Sequence, residues 1–249
     1  MKPPPSFLKE VERAEERSPR GREFFRSFCL LAACALSAGK REAEYLAEAK
    51  RWSRPELDEF ARLLGVLVLE AEGAPLTDIL GPTHMSRGGR WQQLGGEFYT
   101  PQSVADCIAQ MTISKDDVER HVAERRPCHI CEPACGSGGM VLAVGKVFAA
   151  HRLWMRVTAV DISRTAADMT FIQTTLHGIP ARVIHGNSLS GECWGVWRNV
   201  WWEQVGARRG EPVLADERDL LREIIRANLP PPPLPMGQLT FLDQLLKAA

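Results

Sequence analysis

The sequence around Glu132 constrains the fold most strongly, because a short apolar run there leads straight into a glycine-rich turn. Residues 128–131 are typical of a buried strand, and the turn occupies 132–139, with Gly136, Gly138 and Gly139. Glycine adopts positive φ at little cost and allows close approach to the backbone. A helix is predicted over 140–150. The stretch therefore predicts a strand, a tight turn and a helix in succession.

The same alternation of strand and helix continues along the chain. A second strand is predicted over 156–160, ending at Asp161, then a helix over 164–177 and a third strand over 182–185. Strands that alternate with helices are typical of parallel βαβ units. We therefore expect an α/β domain over 96–249, built on a doubly wound, mostly parallel sheet.

The first part of the chain carries helical periodicity instead. Apolar residues recur at helical spacing over 24–36, a second helix is predicted over 42–52, and Ser53 with Glu56 forms a capping-box pattern before a third. Gly73 and Pro75 end that third helix. The following helix is predicted to begin near Thr100, with an inward face of Val104, Ile108 and Met111. These patterns predict a small helical domain over 1–95.

Four segments in fixed order carry a family resemblance. Gly96, Phe98, Thr100 and Pro101 precede the glycine turn, and Val160-Asp161 and the His185-Gly-Asn-Ser-Leu segment follow it. The set, over roughly 75–190, resembles the N-6 adenine-specific DNA methyltransferases, in particular the modification subunits of type I restriction-modification systems. A stretch with Asp78, Leu80 and Gly81 also matches that family. The resemblance implies a Rossmann-like fold of the class I S-adenosylmethionine-dependent methyltransferases.

The resemblance also implies a role for each motif. The glycine turn would wrap the methionine portion of S-adenosylmethionine, and Glu132 would face its positively charged end. Asp161 would accept hydrogen bonds from the ribose, Asn187 would bind the adenine amine, and the ring of Phe98 would pack against the cofactor. The complete cofactor-binding set is Phe98, Thr100, Glu132, Ala134, Gly136, Ser137, Gly138, Asp161, Ile162, Asn187, Ser188 and Leu189.

The residue types alone also fit ordinary structural roles. Glu132 could serve as a helix N-terminal charge, and Asp161 and Asn187 are common turn residues. Phe98 and Thr100 could be a core aromatic and a helix cap. At the level of sequence both interpretations stand.

The segment that performs methyl transfer in the family departs from its pattern. The family carries Asn-Pro-Pro-Phe or Asn-Pro-Pro-Tyr, which orients a flipped adenine. Asn199-Val-Trp-Trp202 takes its place in the order without the prolines, and Asn228 precedes prolines but no aromatic. Asn199 and Trp202 are thus the catalytic candidates. Because residues 191–249 diverge, we expect a truncated or divergent relative with little activity alone.

Two functions follow from these patterns. One is an adenine-specific DNA methyltransferase that works with a specificity or other partner. The alternative is a non-catalytic module with the cofactor fold, which binds or regulates within a restriction-modification or mobile-element system. The 31 basic and 31 acidic side chains give zero net charge, which favours reliance on a partner for DNA affinity.

Composition adds expectations about location and metals. We expect neither a membrane span nor a signal peptide. Seven cysteines without a regular framework favour the reducing cytoplasm. Cys128 and Cys131 lie three positions apart, an odd offset, so one strand would direct them to opposite faces. We therefore expect them not to share a metal, and predict no metal site.

Overall fold

The computed structural model describes residues 6–87, 99–124, 127–150 and 155–202. Seven helices in these ranges precede the first strand, and two more alternate with the strands. The helices are α1 (Phe7–Arg17), α2 (Glu23–Ala35), α3 (Glu42–Ala49), α4 (Arg54–Gly73), α5 (Leu80–Arg87), α6 (Gln102–Thr112), α7 (Lys115–Glu124), α8 (Gly139–Ala150) and α9 (Arg164–Leu176). None of the described helices is long and apolar enough to cross a membrane.

Four strands form one sheet in the order of the sequence. They are β1 (Cys128–Glu132), β2 (Met155–Asp161), β3 (Ala181–Asn187) and β4 (Glu192–Arg198). β1, β2 and β3 are parallel, and β4 runs antiparallel to β3. The prediction of an α/β fold with a mostly parallel sheet is confirmed. The antiparallel β4 was not predicted.

Small and branched apolar residues build the sheet's packing on both faces. Val157 and Val183 belong to the main core together with residues of α8 and α9. On the other face Val160 and Ile184 form a small cluster, with Cys193 and Val196 of β4 packed against it. Because both faces are covered, consecutive residues of β2 and β3 are buried rather than alternate ones.

Aromatic side chains dominate the core of the helical segment. The ring centroids of Phe24 and Phe60 are 4.4 Å apart, and those of Trp52 and Phe60 are 5.0 Å apart. α4 begins with the predicted capping box, in which the Glu56 carboxylate accepts a hydrogen bond from the Ser53 backbone N–H. The predicted helices over 24–36, 42–52 and up to Gly73 are thus present.

A buried ionic cluster ties the helical segment to the sheet. Arg41, only 3% exposed, donates to Asp168 Oδ1 on α9 at 2.9 Å, and Arg164 donates to Asp168 Oδ2 at 3.0 Å. The guanidinium carbons of Arg41 and Arg164 each lie 4.3 Å from the ring centroid of Trp197 on β4. Burial raises the pKa of Asp168, while the two arginines act against that rise.

The boundary near residue 95 between the predicted helical domain and the predicted α/β domain remains a prediction.

The predicted inward face of α6 is wrong. Ala105 and Ala109 are the buried residues of this helix, whereas Val104, Ile108 and Met111 are exposed. α6 packs against α8. Alanine on the contact face lets two helix backbones approach closely, so the bulkier residues lie on the outer side.

Candidate functional site

The carboxyl ends of the three parallel strands bring three predicted polar side chains to one edge of the sheet. Glu132, Asp161 and Asn187 are the last residues of β1, β2 and β3. The register pairs Glu132 with Ala159 and Asp161 with His185, so the three ends are adjacent. We call this the carboxyl edge. Ligands of parallel α/β sheets bind at such edges.

The glycine turn between β1 and α8 is held against the end of β2. Gly136 and Gly138 have φ of +54° and +95°, a conformation that favours glycine. The Gly136 N–H donates to Asp161 Oδ2 at 2.8 Å, and the Ser163 N–H donates to Oδ1 at 2.8 Å. Asp161 therefore fixes both the turn and the start of α9. A carboxylate oxygen can accept more than one hydrogen bond.

Glu132 contributes a second carboxylate beside Asp161. Its Oε1 accepts a hydrogen bond from the Ala134 N–H at 3.2 Å. Burial raises the pKa of Glu132, and the charge of Asp161 adds to that rise, against the lowering by the Ala134 hydrogen bond. Two carboxylates in a partly buried position favour a cationic ligand, whose charge would oppose the rise in the pKa of Glu132.

Asn187 begins the tight connection between β3 and β4. Its Oδ1 accepts hydrogen bonds from the Leu189 N–H at 2.9 Å and the Ser190 N–H at 3.3 Å. Leu189 is 91% exposed and Ile162, directly after Asp161, is 62% exposed. Ser188, between Asn187 and Leu189 in the chain, is half-buried. The carboxyl edge thus places exposed apolar side chains beside its polar groups.

Ser137 does not offer its side chain to a ligand. The residue is 1% exposed, and its hydroxyl donates to Asp78 Oδ2 at 2.6 Å. Its carbonyl accepts from Gln173 Nε2 at 2.7 Å. Any contact of Ser137 with a ligand is therefore limited to its N–H. Asp78, just before α5, and Gln173, in α9, both support the turn through these hydrogen bonds. No sequence motif pointed to Gln173.

The motif before α6 contributes a residue that the sequence interpretation missed. A Cβ at Gly136 would lie 2.8 Å from Tyr99 Cδ1, so the Tyr99 ring packs directly on the glycine turn. Phe98, which was assigned this packing role, lies outside the described residues. Thr100 is exposed, and α6 begins after Pro101 without a side-chain cap. Tyr99 directly follows Phe98 in the sequence, so this second aromatic residue could have been considered for packing on the glycine turn.

The catalytic candidates lie at the opposite edge of the sheet. Because β4 runs antiparallel to β3, its end at Arg198 lies beside the start of β3. Asn199 is fully buried, and its Nδ2 donates to the Ile179 carbonyl at 2.8 Å. Its Oδ1 accepts from the Ala181 N–H at 3.1 Å and the Trp202 N–H at 3.0 Å. The amide nitrogen and the amide oxygen of Asn199 are thus both hydrogen-bonded to the backbone.

Trp202 has a structural partner set as well. Its ring centroid lies 4.0 Å from the guanidinium carbon of Arg156 and 4.9 Å from that of Arg182. Both arginines are buried. The structure does not bring Asn199 and Trp202 together with Glu132 and Asp161, so a catalytic role for this pair does not fit their placement. Asn228 lies outside the described residues.

Residues 89–204 match the family model of the N-6 DNA methylases. This segment is therefore similar to an N-6 DNA methylase domain, and we call it the methylase segment. It contains all four strands and the whole carboxyl edge. Among the described residues no group of three His, Cys, Asp or Glu side chains is placed to hold a metal ion.

The methylase segment also has a curated relative. The methylase subunit of the type I restriction enzyme MpnII from Mycoplasma pneumoniae is 28% identical over 104 residues. The match covers 40% of this chain and 18% of the relative, so the chain spans less than a fifth of that subunit's length.

A solved structure shows a distant likeness. A protein described as a class I S-adenosylmethionine-dependent methyltransferase from Listeria monocytogenes aligns at 9% identity with a TM-score of 0.35. The alignment covers 90% of this chain and 78% of the other. A TM-score this low does not by itself establish a shared fold.

Proposed function

We propose that the methylase segment binds S-adenosylmethionine at the carboxyl edge. The observation that carries this proposal is the convergence of Glu132, Asp161 and Asn187 around a glycine turn. The turn leads directly into α8, whose N-terminal amides favour an anionic group such as the carboxylate of the methionine portion. Gly136 and Gly138 leave the backbone accessible where side chains would obstruct a ligand.

The chemistry of the side chains fits the parts of this cofactor. Glu132 supplies negative charge for the ammonium and sulfonium end. Asp161 accepts a backbone amide on each of its oxygens, and a carboxylate at the end of β2 is also suited to accept hydrogen bonds from the ribose hydroxyls. Ile162 and Leu189 offer apolar surface for the adenine, whose amine Asn187 would meet. When bound, S-adenosylmethionine supplies an activated methyl group.

We further propose that the acceptor is an adenine in DNA, presented by a second polypeptide in the cytoplasm. The support is the family of the segment, the methylase subunit among its relatives and the zero net charge. Asn199, the amide that could have met the target amine, is committed to the backbone. The alternative, a non-catalytic module with the cofactor fold, rests on the same placement of Asn199. It predicts that the chain binds S-adenosylmethionine and transfers no methyl group to DNA, whether alone or with a second polypeptide.

Calorimetry with S-adenosylmethionine tests the binding site. Asp161→Ala should weaken binding roughly 5- to 150-fold, since a hydrogen-bonded charged group contributes about 1–3 kcal/mol. Asp58→Ala, which removes an exposed carboxylate on α4, should bind as the wild type does. Unchanged affinity in Asp161→Ala would remove Asp161 from the site. A wild-type protein that binds no cofactor would refute the proposed function.

Transfer of labelled methyl groups to mixed-sequence DNA tests the need for a second polypeptide. The purified chain should bind cofactor and leave the DNA unlabelled. If DNA adenine is labelled by the wild type and not by Asp161→Ala, the chain is a complete enzyme by itself. That result would overturn both the requirement for a partner and the non-catalytic alternative.

A further inference from the structure

The buried carboxylate of Asp78, which lies outside the methylase segment, contacts the glycine turn through Ser137. Asp78 is 7% exposed and precedes α5. Its Oδ2 accepts the Ser137 hydroxyl at 2.6 Å, and its Oδ1 accepts the Gly81 N–H and Gln173 Nε2 at 2.8 and 2.9 Å. Asp78 thus joins three chain segments that are far apart in sequence.

Gln173 on α9 completes the arrangement. Its Nε2 donates to the Ser137 carbonyl at 2.7 Å, and its Oε1 accepts the Ile79 N–H at 2.9 Å. Ser137 is therefore held through both its hydroxyl and its carbonyl. Nearby, the Thr170 hydroxyl donates to the Gly136 carbonyl at 2.9 Å. The back of the turn is fixed by side chains of α9 and of the segment before α5, and its front is left to the ligand.

The packing around Asp78 admits no further carbon. A Cβ at Gly81 would lie 2.2 Å from Asp78 Oδ2 and 2.5 Å from Ser137 Oγ. A Cβ at Gly139, the first residue of α8, would lie 3.0 Å from Asp78 Oδ2. Glycine at these two positions is thus explained by the space that the carboxylate occupies.

We propose that Asp78 is a positioning residue that holds the glycine turn in the conformation that receives the methionine portion of the cofactor. The cofactor part rests on the proposed function, and the turn part does not. Asp78 acts through Ser137 and touches no ligand itself. The pair Asp78 and Gly81 therefore serves the binding site although both residues precede the methylase segment.

Alkylation of Cys135 by iodoacetamide reports on the turn without any ligand. Cys135 lies in the turn and is 4% exposed, and its N–H donates to the Val160 carbonyl at 2.9 Å. Asp78→Ala should raise its labelling rate roughly ten- to a hundredfold, the range for losing a buried charged hydrogen-bond partner. Cys29, fully buried in α2, is an internal control, because global unfolding would expose both thiols.

Three further variants separate positioning from general destabilisation. Gly81→Ala adds a good helix former, yet the displaced carboxylate should raise Cys135 labelling as Asp78→Ala does. Asp78→Asn can still donate to Ser137 Oγ and accept from Gly81, so it should stay within a few fold of the wild type. Asp168→Asn, which removes a buried carboxylate from the same helix as Gln173, should not selectively expose Cys135.

Binding measurements then connect the turn to the ligand. In Asp78→Ala, affinity for S-adenosylmethionine should fall roughly tenfold or more, while affinity for adenosine, which lacks the methionine portion, should change little. Wild-type labelling of Cys135 in both Asp78→Ala and Gly81→Ala would overturn the proposal, as would equal labelling of Cys29 and Cys135. Selective Cys135 exposure in a protein that binds no cofactor would keep the positioning role and refute the proposed function.

Discussion

Replacing Asn199 with alanine should damage stability and leave cofactor binding intact in the folded protein. The Asn199 side chain is fully buried and bridges the chain before β3 to the end of β4. Alanine leaves the Ala181 N–H and the Ile179 carbonyl without their side-chain partner. The Trp202 N–H retains the Asn199 carbonyl as an acceptor at 3.2 Å. Two buried backbone groups therefore lose their hydrogen bonds.

The expected magnitude follows from those two groups. An unsatisfied buried polar group costs about 1–3 kcal/mol, so the two together cost about 2–6 kcal/mol in the free energy of unfolding. Whole domains are stable by about 5–15 kcal/mol. Asn199→Ala should thus shift the midpoint of urea unfolding strongly downwards with little change in the slope.

Asn187→Ala provides a control with the same chemical change and the opposite expectation. Its side chain also accepts two backbone hydrogen bonds, but at an exposed turn where water can replace it. Its unfolding free energy should change by less than about 1 kcal/mol, while its affinity for S-adenosylmethionine should fall. If Asn199→Ala unfolds as the wild type does, or loses cofactor affinity while remaining fully folded, the structural role of Asn199 is refuted.

Three further predictions concern the turn, the carboxyl edge and the ionic cluster. Gly136→Ala should lower the melting temperature and the affinity for S-adenosylmethionine, because positive φ costs an L-residue about 1–2 kcal/mol and the added Cβ would displace Tyr99. The control variant Gly65→Ala has open space around its position in α4 and should be neutral or stabilising. The pKa of Glu132 is raised above its ordinary 4.5. Below that raised pKa the Glu132 carboxyl is protonated and must lose its proton when the cationic end of S-adenosylmethionine binds, so the affinity measured by calorimetry should fall as the pH decreases through it. Glu132→Gln should bind S-adenosylmethionine weakly, with an affinity that does not change over the same pH range. Asp168→Asn removes the buried carboxylate that pairs with Arg41 and leaves this arginine paired with the partly exposed Glu44. It should cost up to about 3–5 kcal/mol in the free energy of unfolding in urea, against less than about 1 kcal/mol for Asp58→Asn in the exposed pair with Arg54. A wild-type affinity that does not depend on pH, or equal losses in the two Asp→Asn variants, would contradict these expectations.

The sheet could be predicted because its signals are local. Each parallel strand is a short, largely apolar run that ends at a polar residue, and a helix follows both β1 and β2. Those ends define the carboxyl edge, so Glu132, Asp161 and Asn187 were found together. Parallel strands connected by helices leave few other arrangements.

The remaining parts depended on contacts between distant segments. Whether Asn199 lies at the ligand edge depends on the direction of β4, which a tryptophan-rich sequence does not reveal. The buried face of α6 follows from how closely alanine allows α8 to approach, and side-chain size misled the prediction. Asp78 lies 59 residues from the Ser137 hydroxyl that it accepts, so its motif indicated a family stretch without its partner.

The ionic cluster of Arg41, Arg164 and Asp168 has a consequence for whether the helical segment and the methylase segment can be exchanged separately between genes. Arg41 and Arg164 both contact the ring of Trp197, and both donate hydrogen bonds to Asp168. A gene fragment that began after residue 95 would encode the methylase segment with this carboxylate and ring stripped of Arg41. A helical segment exchanged by recombination would restore this buried pair only if it carried a cation at the position of Arg41, since otherwise Asp168 would keep Arg164 without Arg41. We therefore expect the two parts to be inherited together.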